Sequence, residues 1–249
     1  MKTDAQEWYH RGTTLFCTGR YAEAIEVFER ALEHEPQGKE VLVALAASVD
    51  RLGLFYEAVL CCDHALVVDN QFADAWFVKG VALFKLSQYR DAVICFEAIV
   101  NKEPSHAEAW FMKGNCHYQL GELQEAITCY DNTLGIRKKY PKALYNMAVS
   151  LGETGQYDEA IQFYDQCLAM NPGVATVMTN KAVALAHLGR YEEAEEWFRQ
   201  ALDIDPRDTT AWTNLGLTLN RLGREQEAMA CFEKVREFSG MPTVRDIVR

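Results

Sequence analysis

No stretch of the 249-residue sequence approaches the roughly 18 uninterrupted apolar residues that a membrane-spanning helix requires, and the amino terminus from Met1 to Gly12 is polar, without the apolar core of a secretion signal. Positive charge is scarce: 25 Lys and Arg against 36 Asp and Glu give a formal net charge of −11. A phosphate backbone is gripped by clustered Lys and Arg that displace counterions, so nucleic acid is excluded as a general partner. Eight cysteines are present but no CxxC pair, which points to reduced thiols rather than disulfides or a zinc site. No Ser/His/Asp or Cys/His arrangement, phosphate-binding glycine loop or metal-ligand spacing stands out, so neither catalysis nor a cofactor or metal is expected. The expectation is a soluble, folded, cytoplasmic protein: 49% of the residues are hydrophobic and 24% charged.

What the sequence has in abundance is repetition. Starting at Ala5, a 34-residue period gives seven blocks without insertion or deletion: 5–38, 39–72, 73–106, 107–140, 141–174, 175–208 and 209–242. The twentieth position is alanine in every block (Ala24, Ala58, Ala92, Ala126, Ala160, Ala194, Ala228), as close helix approach demands. Four residues later the column is mostly aromatic, from Phe28 to Phe232. The fourth position is bulky (Trp8, Leu42, Trp76, Trp110, Leu144, Met178, Trp212) and the eighth only Gly or Ala. Gly at position fifteen in six blocks ends a first helix, and Pro36, Pro104, Pro172 and Pro206 close four blocks, so each block reads as a helix hairpin.

These columns resemble the tetratricopeptide repeat family over 238 of 249 residues. The resemblance implies an all-α fold: an α-solenoid of fourteen helices in seven hairpins, wound as a right-handed superhelix, with the first helix of each repeat lining a concave surface. Residues 1–249 then form a single solenoid, with a tail at 243–249 that lacks the repeat columns. In the last block Arg236 replaces the Leu or Val of position 28, and Glu225 replaces a usual aromatic, which reads either as a polar end cap or as drift in a terminal repeat.

If positions four, eight and eleven pack the hairpin, positions two, five, six, nine, twelve and thirteen remain for the concave face. In blocks three to five that stripe includes Phe77, Phe84, Phe111, Tyr118, Tyr145 and Val149, the composition of a binding groove unless neighbouring repeats bury them. Asn146, Asn180 and Asn214 occupy the sixth position of three consecutive blocks, and each amide offers the donor and acceptor that complement a peptide unit. They resemble the asparagine ladder of superhelical family members such as the repeat region of O-linked N-acetylglucosamine transferase, where such residues grip a polypeptide main chain; a duplicated surface Asn is the alternative.

Some family members clamp a chaperone's carboxy terminus with Lys, Asn and Arg. The closest register here, Phe111, Asn115, Asn146, Thr176 and Asn180, keeps asparagines and lacks every cation, which argues against that ligand. Arg137, Lys138, Lys139 and Lys142 form a basic spot after Gly135, which is expected to interrupt a second helix. Lys139 and Lys142 either receive an acidic ligand group or lie in a solvated loop. His117, in a column otherwise Leu or Val, reads as a core histidine, and the recurring Cys61, Cys95, Cys129 and Cys231 as small hydrophobes. The function expected is a non-catalytic scaffold binding another protein or peptide segment in the groove; self-association into a homo-oligomer, or service as a regulatory domain of a larger protein, is the alternative.

Overall fold

A computed structural model describes residues 2–239, with side chains from Asp4 onward; the tail at 243–249 lies outside the described residues. Fourteen α-helices and no strand occur among the described residues. They pair as hairpins, a first and a second helix per repeat: α1 (Lys2–Cys17) with α2 (Tyr21–His34), α3 (Lys39–Arg51) with α4 (Phe55–Val68), α5 (Ala73–Lys85) with α6 (Tyr89–Lys102), and α7 (Ala107–Gln119) with α8 (Leu123–Ile136). The remaining pairs are α9 (Pro141–Glu153) with α10 (Tyr157–Met170), α11 (Ala175–His187) with α12 (Tyr191–Ile204), and α13 (Thr209–Arg221) with α14 (Glu225–Phe238). The backbone divides into two compact units, Met1–Ile136 and Arg137–Arg249. The first contains α1–α8 and the second α9–α14, and within each the second helix of one repeat packs on the first helix of the next.

The turn between paired helices follows from the glycine column. Gly53 has φ +82°, its N–H bonds the Asp50 carbonyl, and the Leu54 N–H bonds the Val49 carbonyl, a Schellman ending that satisfies carbonyls left over at the helix terminus. Block three places Ser87 there instead, at φ +60°.

Packing within a hairpin is set by large against small. All seven position-20 alanines are fully buried. A Cβ on Gly80 would sit 2.8 Å from the Phe96 ring, and one on Gly114 2.7 Å from Tyr130, so the eighth position stays small because the position-24 ring occupies the space.

Between repeats, the indole N–H groups of Trp76, Trp110 and Trp212 donate to the carbonyls of Asn70, Pro104 and Pro206, each at 2.9 Å. The bulky fourth column thus ties each of these repeats to the loop before it. A second tie has no counterpart in the sequence reading: Lys79 meets Asp63 at 2.5 Å, Lys113 meets Glu97 at 3.1 Å and Lys181 meets Asp165 at 2.5 Å, always position 7 against position 25 of the preceding repeat. Lys181 is buried, with its ammonium 3.8 Å from the Trp197 ring centroid, which replaces lost hydration by cation–π attraction.

Gly135 does not interrupt its helix. α8 continues to Ile136, the same repeat position at which the other second helices end, because a glycine in the last turn forfeits only about 1 kcal/mol of propensity against an already propagated helix.

Candidate functional site

Two adjoining cavities of the second unit lie along its first helices. A cavity of about 390 Å³ is lined by Val149, Gly152 and Glu153 of α9, Tyr157 and Tyr164 of α10, and Asn180, Val183, Ala184 and His187 of α11. A second cavity, of about 610 Å³, shares Val183 and His187 and continues over Asn214, Leu217, Asn220 and Arg221 of α13. Together they form one trough floored by positions six, nine, twelve and thirteen of successive first helices, the spacing that puts residues on one helical face.

Its floor is mixed in character. Leu217 is 52% exposed, unusual for a leucine, and with Val183 and Ala186 it supplies apolar contact. His187 lies flat on the Tyr157 ring, 4.6 Å between centroids and 2° from parallel, which holds the imidazole against the wall. Asn180 Nδ2 donates to the Tyr145 hydroxyl at 3.0 Å, and Asn214 Nδ2 donates to the Thr210 carbonyl at 3.0 Å. Both amides are therefore anchored through nitrogen, and their Oδ1 atoms accept no hydrogen bond from the described residues. The two amides stand one repeat apart in the lining of the adjoining cavities, each with an acceptor oxygen that complements a peptide N–H. Asn146 is half-buried in the same column on α9.

The aromatic stripe expected in blocks three to five sits differently. Phe111 is buried, 8% exposed, with its ring 6.0 Å from Tyr130, and is not part of an open surface. Phe77 meets Phe96 edge-on at 5.8 Å and Tyr145 meets Tyr164 at 6.4 Å, both half-buried. The cause is helical geometry: position five is one turn from position eight, so both lie over the position-24 ring. Phe84 likewise leans on Tyr89 at 5.3 Å, and Tyr118 is half-buried. Asn115 accepts a hydrogen bond from the Tyr130 hydroxyl at 2.9 Å, which fixes it inside its hairpin. Lys139 and Lys142 are exposed beside Tyr140, whose ring carries the Arg137 guanidinium at 4.9 Å.

His187, Leu217 and Arg221 were missed as individual site residues. Their repeat positions, nine and thirteen, belong to the expected stripe; what hid them was the absence of large aromatics in blocks six and seven.

Among the described residues no helix is long and apolar enough to cross a membrane, and no three His, Cys, Asp or Glu side chains converge as a metal site. Seven of the eight free cysteines are buried or half-buried. Burial pushes the Cys95 thiol up to about 12 and that of Cys129 to about 11, so both remain protonated.

The family model described as Cilia and flagella-associated protein 70 C-terminal domain matches residues 96–236, and the tetratricopeptide repeat model matches 5–37. No curated protein sequence matches significantly. Among solved structures, a tetratricopeptide repeat protein from Parabacteroides merdae is similar at TM-score 0.69 and 17% identity, covering 99% of this chain and 96% of that one. YrrB, described as a TPR protein with an unusual peptide-binding site, is similar at TM-score 0.69 and 22% identity, over 75% of this chain and 96% of that one. MamA from Desulfovibrio magneticus RS-1 gives 0.65 and 22%, over 67% and 94%.

Proposed function

Because the chain belongs to the tetratricopeptide repeat family, its residues 96–236 within the group represented by the Cilia and flagella-associated protein 70 C-terminal domain, we propose that it is a non-catalytic protein-interaction scaffold. It takes an extended segment of another protein along the trough of α9, α11 and α13. The observation that carries this reading is the trough itself: the two adjoining cavities, an apolar floor at Val183 and Leu217, and the acceptor oxygens of Asn180 and Asn214 at one-repeat spacing. The peptide-binding site in the description of YrrB supports it by likeness of fold.

Asn146 and Tyr145 extend the same surface toward α9. Within the first unit Phe77, Phe84, Asn115 and Tyr118 offer contact edges of their own, and in the second Lys139 and Lys142 supply positive charge near the start of α9. Phe111 acts through the hairpin rather than by touching a ligand. A groove this shallow, with few deep anchors, fits micromolar binding, about −8 kcal/mol. Residues 1–249 are taken as one repeat array, acting in the cytoplasm on protein partners rather than on nucleic acid or membrane.

The test is a peptide-library selection against the wild type and against an Asn180→Ala, Asn214→Ala, Leu217→Glu variant, both checked for helicity. Peptides enriched on the wild type and lost on the folded variant establish the trough and give a partner motif. Equal enrichment on both refutes it.

A further inference from the structure

Three kinds of contact recur where one repeat joins the next within a unit. The residue at position 28 shares a buried cluster with position 3 of the following repeat: Leu32 with Val41, Leu66 with Ala75, Val100 with Ala109, Leu202 with Ala211. Position 25 pairs with position 7 through the three lysine–carboxylate contacts at 2.5–3.1 Å. Position 4 donates its indole N–H to the preceding loop.

The outward faces of the first and seventh repeats carry the same columns with changed chemistry. On the first repeat, position 3 is Glu7 where every other block has buried Ala or Val, and position 7 is Arg11. On the last repeat, position 28 is Arg236 and position 25 is Glu233. All four are exposed, and none has an ion-pair partner among the described residues. Read in junction register, Arg236 falls opposite Glu7 and Glu233 opposite Arg11: two opposite-charge pairs, with the signs crossed so that only one register satisfies both. The Trp8 indole N–H, the counterpart of three that donate across junctions, has no acceptor among the described residues, although two guanidiniums, Arg11 and Arg30, hold its ring at 5.4 and 5.3 Å. A cavity of about 290 Å³ opens beside it, lined by Asp4, Glu7, Trp8, Arg11 and His34. Position 17 against position 13 becomes Glu225 against Cys17 and adds no charge pair.

We propose that two copies of this chain join head to tail, the last repeat of one seating on the first repeat of the other in the register of an internal junction, through Glu233–Arg11 and Arg236–Glu7. Plain polar capping requires polar residues at both ends and leaves their signs arbitrary; it does not call for crossed complementarity at the two junction columns. The apolar position 28–position 3 contact is replaced by a charge pair, so the joint is weaker than an internal junction and reversible. It is heterologous, so each added copy leaves a free end and mass grows with concentration until a series closes. Exposed pairs are screened by salt, so association falls as ionic strength rises.

Sedimentation of the full chain at low salt, from about 10 μM to about 500 μM, reads this directly. The wild type is expected to gain mass with concentration. Arg11→Glu and Glu233→Arg are each expected to weaken association by about tenfold or more, and the double variant to recover it. Glu7→Arg with Arg236→Glu supplies a second, independent swap, and all four positions are exposed, so helicity is retained. A wild type that stays monomeric throughout overturns the proposal, as does association indifferent to the single reversals. A double variant as weak as either single also overturns it. None of these variants touches the trough, so failure here and failure of peptide selection are separate results.

Discussion

Ser87 is the one non-glycine residue among the described residues with positive φ, and its replacement gives a calculable gain. Six repeats turn through glycine at φ +74° to +82°, whereas Ser87 takes the same turn at +60°. A side chain in the left-handed region brings Cβ against the following carbonyl, at about 1–2 kcal/mol. Ser87→Gly removes that strain and gives back about 0.4–1 kcal/mol through the freer unfolded chain. The hydroxyl's own bond, accepted from Tyr89 at 3.3 Å on the surface, contributes little. The net expectation is a stabilisation of about 0.5–1 kcal/mol, or about 1–4 °C in melting temperature for a chain of this size. Urea unfolding followed by circular dichroism should show a higher midpoint with unchanged slope. The reciprocal change, Gly121→Ser, isolates the backbone effect, because an added Cβ there meets nothing within 4 Å at φ +75°. It should lose a similar amount. A Ser87→Gly midpoint at or below wild type, with Gly121→Ser neutral, would refute the strain argument.

Other consequences follow from the packing. Gly114→Ala drives a methyl to 2.7 Å from the buried Tyr130 ring and should destabilise by about 1–3 kcal/mol, measured by the same urea midpoint. Trp212→Phe keeps most of the apolar contact but loses the 2.9 Å donation to the Pro206 carbonyl, a cost of about 1 kcal/mol. Native chain treated with an aromatic disulfide at pH 8 should release one equivalent quickly, from exposed Cys17, and the buried thiols only on unfolding; raising the pH to 10 leaves Cys95 slow, since its thiol titrates near 12.

The sequence made the hairpins, their boundaries and their internal packing readable. Invariant alanine, the eighth-position Gly or Ala and the glycine stop each encode a local distance or dihedral, and 34-residue repetition presents the first two seven times and the third six times. The candidate site was half readable. Asn180 and Asn214 fall on the trough, yet the aromatic stripe did not mark it, because Phe77, Phe111 and Tyr145 lie over the position-24 rings of their own hairpins. Aromaticity says how much surface a side chain has to bury, not what buries it.

Period and residue type thus determined that each block is two helices and which residues face one another across the pair, since helical geometry converts spacing into direction without knowledge of neighbours. Only the tertiary structure decided which remaining faces stay open. The position-7 lysines find their carboxylates, Leu217 stays bare beside His187, and Glu7, Arg11, Glu233 and Arg236 stand without ion-pair partners among the described residues because of what the neighbouring repeat does or does not place beside each. Direction is a property of the helix; coverage is a property of the assembly.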